Sequence, residues 1–250
     1  MNSTADQPVV TIKNLTKSFG DQHVLKGVSL QLGKDENLVV LGKSGSGKSV
    51  LIKCIVRLLN PDSGTISVLN NDIGSMNPLA LETVRKKIGF LFQSGALYDS
   101  MTVRQNLEFP LRRAQKKRSA GEINEKIRET LDLVGLLETI DKMPSQLSGG
   151  MRKRISLART IVVDPVILLY DEPTTGLDPV TSAEISALIN DIQKRCKTAS
   201  IIITHDILCA RITANRMIML HEGTIRLEGT PAAFETSTDP LIKSFFASKG

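Results

Sequence analysis

The sequence predicts an α/β fold: a core of buried strands, a small antiparallel β subdomain ahead of it, and a helical subdomain inserted into it. Three observations carry that prediction. Asn37-Leu38-Val39-Val40-Leu41 is a short apolar run of the kind shown by a strand buried on both faces. A glycine-rich loop, residues 42–49, follows it directly and leads into Ile52, Ile55, Val56 and Leu59 at helical spacing. The stretch from Val103 to Val163 is mostly helical in pattern and separates that first strand region from a second buried run, Val166–Tyr170.

Taken in order, Val9–Leu15 alternates as a strand, Phe19-Gly20 turns, and Val24–Leu25 and Val28–Leu32 read as two further short strands. These form the antiparallel patch. After the loop and its helix, Asn60-Pro61-Asp62-Ser63-Gly64 is a turn, followed by a strand at Thr65–Leu69. Pro78–Lys87 reads as a helix and Ile88–Phe92 as a strand that runs into Gln93. Ile123, Ile127, Leu131 and Val134 mark one amphipathic helix of the inserted block. Beyond Val166–Tyr170, Asp178-Pro179 pairs an N-cap with proline at the first helical position, and Ile185, Leu188, Ile189 and Ile192 follow on one face. Ser200–Thr204 is a strand and Ile207–Ala214 a helix. Met217–Leu220 and Thr224–Leu227 form a hairpin around Glu222-Gly223, and two short helices close the chain.

Composition bounds the reading loosely. At 250 residues the chain has room for one or two domains, and its net charge of +6 suits nucleic acid, anionic lipid or a nucleotide ligand equally. Aromatics are sparse, with no Trp and two Tyr, which argues against a base-stacking surface. Cys54, Cys196 and Cys209 lack metal-like spacing and are expected to be buried free thiols in a reducing compartment. Met1–Pro8 has no apolar signal core, and no run approaches the roughly 18 apolar residues that span a bilayer. The expected location is therefore the cytosol.

The loop Gly42-Lys43-Ser44-Gly45-Ser46-Gly47-Lys48-Ser49 fits Gly-x4-Gly-Lys-Ser, between a strand and a helix as a phosphate-binding loop requires. Its backbone N–H groups would cradle phosphate oxygens at the helix start, with Lys48 reaching the β- and γ-phosphates and the Ser49 hydroxyl holding Mg2+. Ile167-Leu168-Leu169-Tyr170 ends in Asp171-Glu172. Asp171 at a strand end suits Mg2+ held through its water shell, and Glu172 suits a water aimed at the γ-phosphorus. Adjacent acids at a strand end are otherwise plain solvated groups; the loop gives them their meaning. His205 ends the strand Ile201–Thr204 beside the same site, whereas His23 and His221 have no such context and read as surface or structural. Leu147-Ser148-Gly149-Gly150-Met151 opens a helix and would make a second phosphate site. One chain carries one such loop, so a two-fold dimer would supply the other phosphate.

With these motifs in this order the chain resembles the ABC ATPases, the nucleotide-binding subunits of transporters, from Phe19 to the hairpin at Glu222. The resemblance implies a P-loop NTPase (RecA-like) core at 1–92 and 165–235 that includes the β subdomain, a helical subdomain at 93–164, and a tail at 236–250. It implies ATP and Mg2+ as cofactors. By the same resemblance Gln93 would touch Mg2+ and link it to the helical subdomain, and Asp178 would communicate across the dimer. His205 would contact the γ-phosphate and position the water with Glu172, and Phe19 would stack on adenine. Met151 stands where the family usually has Gln, Phe19 where Tyr is commoner, Val50 where Thr is frequent and Tyr170 where an aliphatic is common; none removes a charge the mechanism needs.

The segment Gln93-Ser94-Gly95-Ala96-Leu97-Tyr98-Asp99-Ser100-Met101-Thr102-Val103, with Asn106 and Phe109-Pro110-Leu111-Arg112, is similar to the ATPases of bacterial Mla/Mce-type phospholipid transporters. That likeness implies a homodimer under an integral membrane permease, with an Mce-domain protein and, in some systems, a STAS-domain subunit. The chain would sit peripherally on the cytoplasmic face of the inner membrane and drive lipid movement between membranes. The rival within transport is a small-solute importer ATPase, which shares every catalytic residue. A non-transport ABC ATPase acting on nucleic acid or the ribosome usually carries a long coiled coil or two cassettes in one chain, which this sequence lacks, so no nucleic acid is expected. A P-loop kinase or GTPase would have no use for Ser148-Gly149-Gly150. The basic run Arg112–Arg118 reads as a solvated loop, with anionic head groups as the other option. The sequence leaves open whether Leu241, Ile242, Phe245 and Phe246 of the tail pack on their own core or on a partner.

Overall fold

The computed structural model of the chain describes residues 7–93, 95–114 and 118–247. In chain order the elements are β1 (Val10–Phe19), β2 (Gln22–Leu32), β3 (Asn37–Leu41), α1 (Lys48–Ile55), β4 (Ser63–Val68), β5 (Asn71–Asp72), α2 (Pro78–Arg85) and β6 (Ile88–Leu91). The helical block follows with α3 (Val103–Arg113), α4 (Ala120–Leu133) and α5 (Gly149–Ile161). Then come β7 (Ile167–Asp171), α6 (Pro179–Cys196), β8 (Ala199–Thr204), α7 (Ile207–Thr213), β9 (Arg216–His221), β10 (Thr224–Gly229), α8 (Pro231–Glu235) and α9 (Pro240–Ala247).

Two sheets form. The antiparallel one runs β2-β1-β4-β5, and the larger runs β10-β9-β3-β8-β7-β6. In the larger sheet every neighbour pair is parallel except β10 with β9. Every residue of β3, β7 and β8 is buried, as expected for parallel strands covered on both faces. Alternation along β3 divides the core. Val39 and Leu41 join the side that packs the helical block, α6, α7 and the C-terminal helices, while Leu38 and Val40 join the side that packs α1 and the antiparallel sheet.

The parallel arrangement sets the site. Leu41 pairs with Thr204, Asp171 with Ile203, and Leu91 with Tyr170. The residues just past these strand ends therefore emerge along one edge, in the crevice where open α/β sheets bind ligands. Several helix starts are satisfied in a way their sequences announce. Asn77, Thr102, Ser119, Asp178 and Thr230 cap their helices through side-chain oxygens, with reciprocal Gln105 and Glu122 contacts at α3 and α4.

Two sequence readings need correction, and one short strand goes unread. Val24–Leu25 and Val28–Leu32 are one strand, β2, rather than two. Gly27 lies at φ +85°, and the pairing with β1 shifts register near it, so the side-chain alternation breaks while the hydrogen-bonded strand continues. The two-residue strand β5 carries no apolar signal. Cys54 and Cys209 are buried, but Cys196 is exposed at the last residue of α6. The tail question is resolved: Ile242 is fully buried, and Phe245 and Phe246 pack against the core formed with α6 and α7. Among the described residues no helix is long and apolar enough to cross a membrane.

Candidate nucleotide site

The loop between β3 and α1 ends in Gly47, at φ +101°, which caps α1 with no side-chain hydrogen bond. The first amides of α1 are thus left to an external acceptor, and an anion is the natural one. A Cβ at Gly47 would lie 2.9 Å from Leu25 Cδ2 and 3.0 Å from the Val24 carbonyl, so β2 confines the loop from outside. Lys48 is buried. Its Nζ donates to the carbonyls of Gly42 at 2.8 Å and Lys43 at 3.1 Å and stands 3.7 Å from Glu172 Oε1. Burial holds this ammonium below the ordinary lysine range, opposed by Glu172 and Asp171.

The acidic pair divides by environment. The Ser49 hydroxyl donates to Asp171 Oδ1 at 3.2 Å. Burial raises the Asp171 carboxyl above the usual carboxylate range, with the Ser49 bond acting against that shift. Glu172 sits at φ 52°, where the chain turns off the end of β7, and its N–H donates to the Ile203 carbonyl at 2.9 Å. That rarely used conformation is held by many contacts. Glu172 Oε2 lies 2.9 Å from His205 Nδ1 and accepts from the His205 N–H, Thr204 Oγ1 and Thr175 Oγ1, each at 3.3 Å.

A cleft of about 440 Å3 opens over this floor, lined by Phe19, Ser44, Gly45, Lys48, Gln93 and Glu172 among others, with Ser49 and His205 on its wall. Phe19 is 47% exposed at its mouth. The Gln93 carbonyl accepts from Lys153 Nζ at 3.1 Å. The structure thus gathers Phe19, the loop residues, Gln93, Asp171, Glu172 and His205. Ser46 belongs to the loop but its Oγ is buried without a partner among the described residues, in contact with the space above Gly42.

Ser148, Gly149, Gly150 and Asp178 do not line this cleft. Ser148 Oγ caps α5 through the Met151 N–H at 3.2 Å, and Asp178 caps α6 through the Thr181 N–H at 3.0 Å and Oγ1 at 2.6 Å. Those Thr181 contacts hold the Asp178 carboxyl below its usual range. The two outlying groups adjoin: a Cβ at Gly150 would meet Thr181 Cγ2 at 2.8 Å. They form a second polar face outside the lining of the cleft.

An oxygen donor set of one hydroxyl and one buried carboxylate suits Mg2+, which keeps waters and shares phosphate oxygens. Among the described residues no group of three or more His, Cys, Asp or Glu is placed to hold a metal ion, so a cage that would prefer a softer metal is not built. Three contributors had no motif to announce them: Lys153, Thr175 and Thr204. For Lys153 a signal existed, since it shares the buried face of α5 with Ser156 and Leu157.

Of the basic run 112–118, residues 115–117 lie outside the described residues. Arg112 pairs with Glu108, Arg113 stacks over Phe109 at 4.1 Å, and Arg118 pairs with Asp164 at 3.1 Å. These internal partners favour the solvated-loop reading.

Comparisons with known proteins bear on the chain's family and fold. A family model described as ABC transporter matches residues 25–175. The chain is 41% identical over 236 residues to "Probable ribonucleotide transport ATP-binding protein mkl" of Mycobacterium leprae, covering 94% of this chain and 68% of that protein. It is 37% identical over 254 residues to Protein TRIGALACTOSYLDIACYLGLYCEROL 3, chloroplastic, of Arabidopsis thaliana, covering 95% of this chain and 73% of that one. A solved dimeric ATP-binding cassette, MJ0796, in a post-hydrolysis state bound to ADP and Pi, superposes with a TM-score of 0.80 at 31% identity. That match covers 89% of this chain and 98% of the cassette.

Proposed function

Because the chain belongs to the ABC transporter family, as an ATP-binding subunit and ATP hydrolase, we propose that two copies close on two ATP molecules and drive an integral membrane permease that moves lipid. The observation that carries the dimer is the split site. The loop, Glu172 and His205 share one cleft, while Ser148-Gly149-Gly150 and Asp178 lie outside its lining and are largely exposed. A second copy related by a two-fold axis brings its Ser148 turn onto the first copy's cleft, and the reverse.

In the closed dimer Lys48 leaves its carbonyl partners for the β- and γ-phosphates, Phe19 stacks on the adenine, and the partner copy's Ser148 turn offers amides to the γ-phosphate. Ser49, Gln93 and Asp171 are the residues that would hold Mg2+, which when bound neutralises phosphate charge. Glu172 accepts a proton from the attacking water as the water oxygen bonds to the γ-phosphorus. The bond to the β–γ bridging oxygen breaks, and ADP and phosphate result. His205 fixes the Glu172 carboxylate and contacts the γ-phosphate. Asp178 carries the state of one site to the other across the interface. Loss of the γ-phosphate bridge lets the dimer open.

A second cleft, about 490 Å3, runs between α2, α3 and α5 and combines Ile88, Phe109 and Pro110 with Arg85, Arg113 and Arg159. It joins the helical block to the edge of the sheet at the start of β6, so a permease segment seated there would feel the two parts move. In this reading the chain sits peripherally on the cytoplasmic face of the inner membrane. The lipid reading rests on the segment at 93–112 and on likeness to a relative named for trigalactosyldiacylglycerol, a galactolipid. It carries with it an Mce-domain protein and, in some assemblies, a STAS-domain subunit. The relative named for ribonucleotide transport favours a second reading, the ATPase of a small-solute transporter. Purifying the native complex separates them. The lipid reading predicts a permease accompanied by an Mce-domain subunit, and a permease accompanied by a periplasmic solute-binding protein instead contradicts it.

A further inference from the structure

Lys153 is buried on α5, five residues after Ser148, and belongs to neither motif. Its Nζ donates to the backbone carbonyl of Gln93 at 3.1 Å; burial holds the ammonium below the ordinary lysine range, opposed by the carboxylates of Asp171 and Glu172. One helical step on, at i+3 on the same face, Ser156 is buried against Gly95: a Cβ there would meet Ser156 Oγ at 2.7 Å. Gly95 closes its own turn by donating to the Phe92 carbonyl at 2.9 Å. Residues on both sides of position 94 are therefore seated on a single face of α5.

Burying an ammonium is costly, and a well-packed apolar side chain at such a place is often neutral or stabilising. A lysine kept there against that cost suggests work beyond packing. The helix runs from its Lys153 contact to the Ser148 turn over about 7.5 Å at 1.5 Å per residue. One end of this rigid span holds a residue that lines the chain's own cleft, and the other holds the turn offered to the neighbouring copy.

We propose that Lys153 is a positioning residue which, by holding the Gln93 carbonyl, fixes the Ser148 turn relative to the chain's own cleft and so couples the two ATP sites of the dimer. The role rests on the sandwich dimer proposed above. It acts through Gln93 and α5 and requires no contact with nucleotide. The chain's two faces then close together: an occupied cleft seats Gln93, Gln93 seats α5, and α5 presents Ser148-Gly149-Gly150 in register for the partner's γ-phosphate.

The test is ATP-dependent dimerisation of the full chain in a Glu172→Gln background, read by light scattering across an ATP titration. Adding Lys153→Met is expected to raise the midpoint by about tenfold or more, the scale of a small misplacement of positioning groups, and to flatten the titration. ADP binding to the monomer should stay within about threefold, because the cleft itself is intact, and Tm should not fall, because an ammonium leaves the interior. Lys153→Gln or Lys153→Arg, which keep a donor, should regain part of the lost affinity. An unchanged midpoint in Lys153→Met, or no recovery in either donor variant, overturns the role of Lys153 while leaving the sandwich standing. If the Glu172→Gln parent itself stays monomeric with Mg-ATP, the sandwich reading and this role fall together.

Discussion

Glu172 Oε2 and His205 Nδ1 lie 2.9 Å apart at the ends of two adjacent parallel strands, β7 and β8. The register places Asp171 opposite Ile203, so Glu172 comes off β7 beside Thr204, and His205, one residue further on, reaches it over the cleft. With Thr175, Thr204 and the His205 N–H also directed at Glu172 Oε2, the carboxylate is fixed before any substrate arrives. Turnover should depend steeply on its charge. Glu172→Gln is expected to bind Mg-ATP as the wild type does and to lose about a hundredfold or more in kcat, the usual scale for a positioned general base. Equilibrium nucleotide binding and phosphate release measured on one preparation check both halves; wild-type-like turnover would remove Glu172 from the mechanism.

Lys48 presents a separable effect. Its ammonium now rests on two backbone carbonyls and faces Glu172, a set of contacts that nucleotide phosphates would replace. Lys48→Met should weaken Mg-ATP binding by about 2–4 kcal/mol, the range for losing one partner of a buried charged contact, with the fold retained. Calorimetric titration reads the affinity and thermal unfolding reads the fold. Unaltered affinity would mean that the loop does not hold phosphate.

Asp171 predicts a pH signature. Burial raises its folded-state pKa, so the folded chain holds this proton more tightly than the unfolded chain does. The group's penalty is absent below the ordinary carboxylate range and grows as pH rises through the raised value. Asp171→Asn keeps an acceptor for Ser49 and removes the penalty. The nucleotide-free variant should unfold at a higher temperature than wild type at neutral pH, with the gap shrinking as pH falls. It should also lose the stabilisation that Mg-ATP gives the wild type. A gap that widens toward acid would contradict the assignment.

The cysteines predict a labelling pattern. Burial pushes the Cys54 and Cys209 thiols up to about 11, whereas Cys196 is exposed. At pH 8 a thiol reagent should label one cysteine of the native chain readily and all three after denaturation. Mass mapping that finds Cys54 labelled first would contradict the packing of α1 against the sheet.

Local sequence was enough wherever an element's partner lay on both sides or close by. β3 is bounded as its apolar run suggests, and Asp178-Pro179 starts α6 where capping chemistry places it. The failures have physical reasons. In β2, Gly27 breaks the alternation without ending the hydrogen bonding, so one strand reads as two. Cys196 follows the apolar pattern of α6 but falls at its exposed end, which periodicity does not distinguish from the middle. At the site, Lys48, Asp171, Glu172 and His205 are legible because strand ends and a glycine loop announce them. Lys153 is legible only as a position on the buried face of α5; its meaning comes from Gln93, 60 residues earlier, and only the folded chain sets them together.

The central claim is that each cleft is completed by the Ser148 turn of a second copy. Light scattering of Glu172→Gln, alone and combined with Ser148→Arg, tests it most directly. Ser148→Arg sits outside the chain's own cleft, so ADP binding to the monomer should be unchanged, while a bulky cation replaces a helix cap worth about 1 kcal/mol. The account predicts that Glu172→Gln forms a dimer with Mg-ATP, holding two nucleotides, and that the double variant stays monomeric at the same nucleotide occupancy. A double variant that dimerises as readily as its parent would contradict it.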